Sequence, residues 1–329
     1  MTANDFYEME KYGIDSRPSL IEALSSYYAE FNTSMNAVAK KLGKSQSYLS
    51  QYMSGKLEVT EDSLRKMDAT VANFLKREYE RRDLDANQYV PLQISETIQD
   101  TLQTSYNARE MGFIYGYPGT GKTMAATEYL KHNPLALLIT AYHGIRPKAI
   151  LVRIARALEV ETKGNEENLL HVISRALIKG DRLLIIDEAQ FLNTRGMELI
   201  RHIYDLTKCS IVYMAQPYKY REMTGIGLEE YGQLTRRIGV TNELPHPSNV
   251  KKGSEMDKIY RNDIIKLAKA RGIDDEEIHD YLYQIACEKW GSLGTVSKVL
   301  DRAKDKARVD KTEITTTTIA FCRNMAMSA

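Results

Sequence analysis

Apolar residues recur in two rhythms along this chain of 329 residues. From about residue 18 to 82, and again from about 255 onward, they return every three or four positions, the spacing of helices with one buried face. Between these stretches lie short, mostly apolar runs at 111–115, 136–140, 183–186 and 209–215. Each is too short for a helix and too continuous for a half-exposed strand. Such runs predict strands buried on both faces, as in a parallel sheet covered by helices. Helices are predicted between them, after residue 123, over 149–158 and through 197–203. The chain reads as an N-terminal helical domain (1–84), an α/β core (85–250) and a small C-terminal helical lid (251–329). In the lid the pattern predicts helices over 257–270, 275–287, 295–307 and after Thr316, punctuated by Gly272 and Gly291.

The strand at 111–115 runs into Gly116-Tyr117-Pro118-Gly119-Thr120-Gly121-Lys122-Thr123, a glycine, four residues, then Gly-Lys-Thr. A polyphosphate needs several backbone N–H groups at once, a compact cation and a helix N-terminus. Gly116, Gly119 and Gly121 let the backbone approach without a Cβ in the way. Lys122 can place its ammonium between the β- and γ-phosphates, and the Thr123 hydroxyl can hold Mg²⁺. The run at 183–186 ends in Asp187-Glu188, two carboxylates at the C-terminal edge of a strand, where an open α/β sheet keeps its ligands. Asp187 suits Mg²⁺, and Glu188 suits a base that polarises the attacking water. ATP and Mg²⁺ are the cofactors these residues imply, and hydrolysis is the chemistry. Gln216 closes the run at 209–215 and can sense the γ-phosphate. Adjacent Arg236 and Arg237 end a predicted helix, and either can reach a neighbouring subunit's phosphate as an arginine finger.

Near the N-terminus, 37–42 and 47–53 predict two short helices around Gly43, with Ser45 placed to cap the second. Two short helices about a glycine turn form a helix-turn-helix, here over about 34–56. Its second helix offers Ser45, Gln46, Ser47, Tyr48, Ser50 and Gln51 to a major groove. Lys40, Lys41, Lys44 and Lys56 stand between Thr33 and Leu57 with no carboxylate among them, a local positive field suited to phosphates. The competing reading is a helical hairpin for protein contacts. In the core, the loop after the strand at 136–140 carries Tyr142, His143, Arg146 and Lys148 and predicts a second DNA-backbone surface.

Composition changes this picture little. Lys and Arg number 45 against 44 Asp and Glu, so any basic surface is local. Three distant cysteines fit no metal spacing and suit a reducing compartment. Asp5, Glu8 and Glu10 stand where a signal peptide would need an apolar stretch, and no run is long enough to span a bilayer. The expectation is a soluble intracellular protein.

The order of helix-turn-helix, Gly116–Thr123, Leu183 to Glu188, strand-end Gln216, Met223-Thr224-Gly225, Leu234-Thr235-Arg236-Arg237-Ile238 and helical lid resembles the AAA+ transposition ATPases. These deliver target DNA to transposases, as in phage Mu. The resemblance covers roughly residues 20 to 320. It implies an AAA+ P-loop core in which Pro118 and Thr120 belong to the Walker A loop and Asp187-Glu188 to Walker B. Gln216 stands at the first sensor, where many relatives have asparagine. It further implies ATP-dependent helical filaments on double-stranded DNA with little sequence preference, a transposase partner that stimulates slow hydrolysis, and a place in a bacterial or phage-infected cytoplasm near the nucleoid. One departure stands out. Gly291-Ser292-Leu293-Gly294 has glycine where AAA+ lids often supply a second-sensor arginine, leaving Lys298 or another lid residue to substitute. Alternative readings are an ATP-responsive helix-turn-helix transcription regulator and a helicase-loader or secretion-type ATPase.

Overall fold

A computed structural model describes residues 14, 16–31, 34–85, 89–225 and 228–327. The acidic residues Asp5, Glu8 and Glu10 lie outside the described residues, as does part of the expected boundary between the first two domains. The chain divides into two compact units, 1–88 and 89–329.

The first unit consists of α1 (Arg17–Phe31), α2 (Met35–Lys41), α3 (Gln46–Met53) and α4 (Glu61–Asp85). Leu20 and Leu24 of α1, Val38 of α2, Leu49 and Tyr52 of α3, and Met67, Val71 and Leu75 of α4 form its core. The caps are local: Ser34 Oγ accepts the Ala37 N–H and Ser45 Oγ accepts the Tyr48 N–H. Gly43 takes φ +65° between α2 and α3, the left-handed conformation that ends the first of the two helices. Buried Asp68 binds Arg17 through both carboxylate oxygens and accepts the Tyr52 hydroxyl at 2.7 Å.

In the second unit five parallel strands stand in the order β2-β3-β4-β1-β5. They are β1 (Met111–Gly116), β2 (Ala136–Thr140), β3 (Leu183–Asp187), β4 (Ser210–Ala215) and β5 (Ile238–Leu244). Alternate residues face opposite layers, as the strand period requires. Ile114, Leu183, Ile185, Val212 and Met214 pack in one core, and Phe113, Leu184, Ile186, Ile211 and Tyr213 in the other. Helices α5 (Gln93–Ala108) and α6 (Lys122–His132) contribute to the first. Helices α7 (Pro147–Ala157), α8 (Glu166–Lys179) and α9 (Thr194–Thr207) contribute to the second. Two short helices, α10 (Pro217–Thr224) and α11 (Leu228–Thr235), lead into β5.

The lid comprises α12 (Glu255–Lys269), α13 (Glu276–Cys287), α14 (Leu293–Asp310) and α15 (Thr316–Met327). Its apolar side chains, Tyr260, Ile264, Leu282, Val296 and Leu300 among them, continue the first core without a break. Asp263 of α12 is fully buried and accepts the first N–H groups of α5, from Gln93 at 2.7 Å and Ile94 at 3.0 Å. A lid carboxylate thus caps a core helix. Among the described residues no helix is long and apolar enough to cross a membrane.

Candidate functional site

Because all five strands are parallel, everything that follows a strand lies at one edge of the sheet. The phosphate loop follows β1, Asp187 and Glu188 close β3, Gln216 follows β4, and the loop bearing His143 follows β2. Four segments far apart in sequence therefore meet at the edge where such sheets bind ligands.

Lys122, the first residue of α6, turns back over its own loop. Its Nζ donates to the carbonyls of Gly116 at 2.7 Å and Tyr117 at 3.1 Å, and lies 3.2 Å from Thr120 Oγ1. Burial pulls its pKa down to about 8, against the opposing pull of Asp187 and Glu188. Thr123 Oγ1 donates to Asp187 Oδ2 at 2.7 Å, and the other oxygen of Asp187 accepts the Glu188 N–H at 2.8 Å. A hydroxyl beside a carboxylate offers the hard oxygen donors that Mg²⁺ takes, with phosphate and water completing the shell. The residues present fit the ion.

Glu188 sits at φ 54°, ψ 34°, a left-handed conformation that costs a non-glycine residue roughly 1–2 kcal/mol and gathers at functional sites. It opens a single 3-10 turn, Ala189–Phe191. The Gln190 amide nitrogen donates to Glu188 Oε2, and its oxygen accepts the Gln216 N–H at 3.2 Å. Gln216 thus reaches Glu188 through Gln190, a residue to which the sequence pattern assigns no role. Its place directly after the paired acids is the signal that could single it out.

The lid meets the phosphate loop through backbone. Gly294 N–H donates to Gly119 O at 2.9 Å, and a Cβ on Gly294 would stand 3.2 Å from Gly119 Cα. A Cβ on Gly119, at φ +80°, would lie 2.3 Å from Ser292 Oγ. The glycine at the second-sensor place is therefore a packing requirement of this approach. Lys298, the expected substitute, is exposed on α14. His246 braces the same junction, binding Gly291 O at 2.8 Å and meeting the Tyr117 ring edge-on.

The two arginines precede β5, at the edge opposite the phosphate loop, so neither serves its own nucleotide. Arg237 is engaged by Asp205 of α9, which also binds Arg201. Burial pushes the Asp205 carboxyl up, but the two guanidiniums outweigh it and hold it below the usual carboxylate range. Arg236 is exposed, and no carboxylate among the described residues pairs with it.

The nucleic-acid candidates divide between the two units. In the first, Lys40, Lys44, Ser45, Gln46, Ser47 and Gln51 are exposed, while Tyr48 is half-buried with the Lys44 ammonium 5.3 Å from its ring centre. Lys41 instead binds the Tyr27 hydroxyl and lies 3.6 Å from Glu78, so this lysine is already engaged. In the second unit His143, Arg146 and Lys148 are all exposed. The groove beside Arg146 and Lys148 is also lined by Tyr142, Arg153 and Arg156. The Arg153 guanidinium lies 4.8 Å from the Tyr142 ring centre. The sequence pattern assigns no role to Arg153 or Arg156; their three-residue spacing along α7 is the cue that could.

Comparison with known proteins agrees with this geometry. A family model described as an AAA domain matches residues 105–223, one described as Mu B transposition protein, C terminal, matches 248–324, and a helix-turn-helix model matches 24–70. The Mu-like prophage FluMu DNA transposition protein B of Haemophilus influenzae is 24% identical, over 84% of this chain and 93% of that protein. The ATP-dependent target DNA activator B of Escherichia phage Mu is 25% identical, over 79% of this chain and 80% of its own length. Among solved structures, a DNA replication initiation factor aligns at 14% identity with a TM-score of 0.38, covering 71% of this chain and 76% of the other. Parallel sheet, phosphate loop, paired acids and helical lid make this chain an AAA+ ATPase with a helix-turn-helix unit before it. Within that class it is similar to the Mu B transposition proteins.

Proposed function

We propose that the protein binds ATP and Mg²⁺ at the edge of its sheet, assembles on double-stranded DNA with little sequence preference, and delivers that DNA to a transposase whose strand transfer it stimulates. Its phage Mu relative is named a target DNA activator, which supports the reading. The division into 1–84, 85–250 and 251–329 belongs to the same proposal, as does a cytoplasmic, nucleoid-associated location. Gly116, Pro118, Gly119, Thr120 and Gly121 cradle the phosphates, and Lys122 and Thr123 contact phosphate and metal with Asp187. Glu188 takes the proton of the water that attacks the γ-phosphorus as the bond to the β-phosphate oxygen breaks. Gln216 faces the γ-phosphate.

The observation that carries assembly is the position of Arg236 and Arg237. They stand across the sheet from their own phosphate loop, so a finger role requires a second copy. Of the two, Arg236, which has no carboxylate partner among the described residues, is the better finger and Arg237 its anchor. Imaging the full chain on long random-sequence duplex DNA, with and without ATP, tests the reading. Continuous filaments confined to the ATP sample are the expected result. Isolated particles at one site would favour the transcription-regulator alternative, and no nucleotide dependence would end both.

A further inference from the structure

Where AAA+ lids often supply an arginine, this lid admits no side chain. A Cβ on Gly291 would stand 2.1 Å from Ile285 O and 2.5 Å from Ala286 O. Residues 291–294 therefore meet the phosphate loop with backbone, and the side chain that seats them comes from the core. Buried His246, which follows β5, is that side chain. Its Nδ1 accepts the Ser248 N–H at 3.2 Å, capping the 3-10 turn Pro247–Asn249. A ring nitrogen that accepts carries no proton, so in the neutral ring the proton is on Nε2. That Nε2–H donates to Gly291 O at 2.8 Å. The lid returns the hold one residue earlier, where the Tyr260 hydroxyl donates to Pro245 O. The His246 ring also meets Tyr117 edge-on, with centroids 5.4 Å apart, and the Tyr117 carbonyl accepts Lys122 Nζ at 3.1 Å. One imidazole thus touches the lid and the phosphate loop together.

We propose that His246 is a positioning residue for ATP, a clasp that keeps residues 291–294 seated on the phosphate loop and so slows nucleotide release. It does from the core what a second-sensor side chain does from a lid. The inference rests on reading 116–123 as the ATP-binding loop. The lid touches that loop at Gly119, two residues before the glycine that opens α6. A lid that lifts there uncovers the helix end that holds phosphate. Without the Nε2–H, the buried Gly291 carbonyl loses its side-chain donor, and the seated lid loses its advantage over the lifted one.

His246→Phe keeps a ring against Tyr117 and removes the bond to Gly291. In the nucleotide-free full chain, hydrogen exchange at the Gly294 amide, which donates to Gly119 O, should quicken about five-fold, the equivalent of one net hydrogen bond. Release of a fluorescent ATP analogue, followed by stopped flow, should quicken by about the same factor. KM for ATP should rise with it, while kcat at saturating ATP changes less than about two-fold. Glutamine carries its amide nitrogen as many bonds from the backbone as Nε2, whereas asparagine reaches only as far as Nδ1. His246→Gln should therefore restore slow release and His246→Asn should not, a difference that a merely structural role would not produce. Wild-type release from a folded His246→Phe overturns the proposal, as does equal release from the glutamine and asparagine variants. If His246→Phe does not fold, the glutamine–asparagine pair decides alone. Lys122→Ala separates the layers. Retained ATP binding there removes the loop assignment itself, whereas lost binding beside wild-type release from His246→Phe removes only the clasp.

Discussion

The phosphate site and the two basic surfaces handle charge in opposite ways. At the sheet edge each charged or polar group is already bonded to the protein: Lys122 to its own loop carbonyls, Thr123 to Asp187, Glu188 to Gln190. On the surfaces, Lys40, Arg146, Lys148, Arg153 and Arg156 reach solvent, and none has a carboxylate partner among the described residues. The first arrangement is a closed circuit that a nucleotide must open, exchanging internal bonds for bonds to phosphate. The second is a set of independent cations, each able to neutralise one phosphate. Loss of one member should therefore disable the circuit but only weaken the surfaces.

Lys122→Ala gives the sharpest contrast. It removes the only ammonium facing the loop among the described residues, and charge-assisted bonds of this kind contribute about 1.5–3 kcal/mol each. ATP binding at millimolar nucleotide should disappear in a fluorescent-analogue titration, together with the ATP-dependent increment of DNA binding. Nucleotide-free DNA binding, read by anisotropy, should stay. Its loss would mean that the two regions are one.

The next contrast sets the two arginines against each other. Arg236→Ala should lower turnover in the DNA-bound assembly by about 10³-fold, the usual worth of an arginine finger, with nucleotide binding by the monomer intact. Arg237→Ala breaks the half-buried Asp205 pair, and its main effect should be a melting temperature lower by a few degrees, about 1 kcal/mol. The reverse pattern would exchange their roles.

Such pairs also mark what the sequence could reveal. The phosphate loop, the paired acids and four of the five strands were legible because backbone geometry demands glycine at fixed intervals and buried strands demand mostly apolar runs. Strand β5 escaped because it is an edge strand: half-buried Ile238, Val240 and Asn242 alternate with exposed Gly239, Thr241 and Glu243, so no apolar run announces it. Gly294 looked like a missing arginine until the lid's approach to Gly119 gave it a steric purpose. Gln190, Arg153 and Arg156 carry their meaning in tertiary neighbours, and no local rule singles out one glutamine or two helix arginines.

For the surfaces the expected effects are smaller and additive. Arg146→Ala with Lys148→Ala should weaken DNA binding about ten- to thirty-fold at low salt. It should also flatten the dependence of log affinity on log salt by about 2, one for each phosphate left without its cation. Adding Arg153→Ala and Arg156→Ala should flatten it by about 2 more. ATP affinity should not move in either variant. A salt slope that did not change would show that these cations face solvent in the complex as well.

The smallest expected effect separates the regions by pH. Burial holds Lys122 at about 8 in the nucleotide-free protein, whereas a bound polyphosphate favours the ammonium and raises the value. Because the pKa is higher in the complex than in the free protein, binding takes up a proton wherever the free lysine is neutral. ATP affinity should therefore be nearly flat below pH 7 and fall by up to about tenfold per unit above pH 8. Calorimetry in two buffers of different ionisation enthalpy should show little proton uptake at pH 7 and close to one proton at pH 9. Arg146, Arg153 and Arg156 keep their charge throughout that range, so nucleotide-free DNA binding should carry no matching decline. Absence of uptake at pH 9 would mean that the empty loop already stabilises a charged Lys122, and that its carbonyls, rather than the incoming phosphates, supply most of the compensation for burying it.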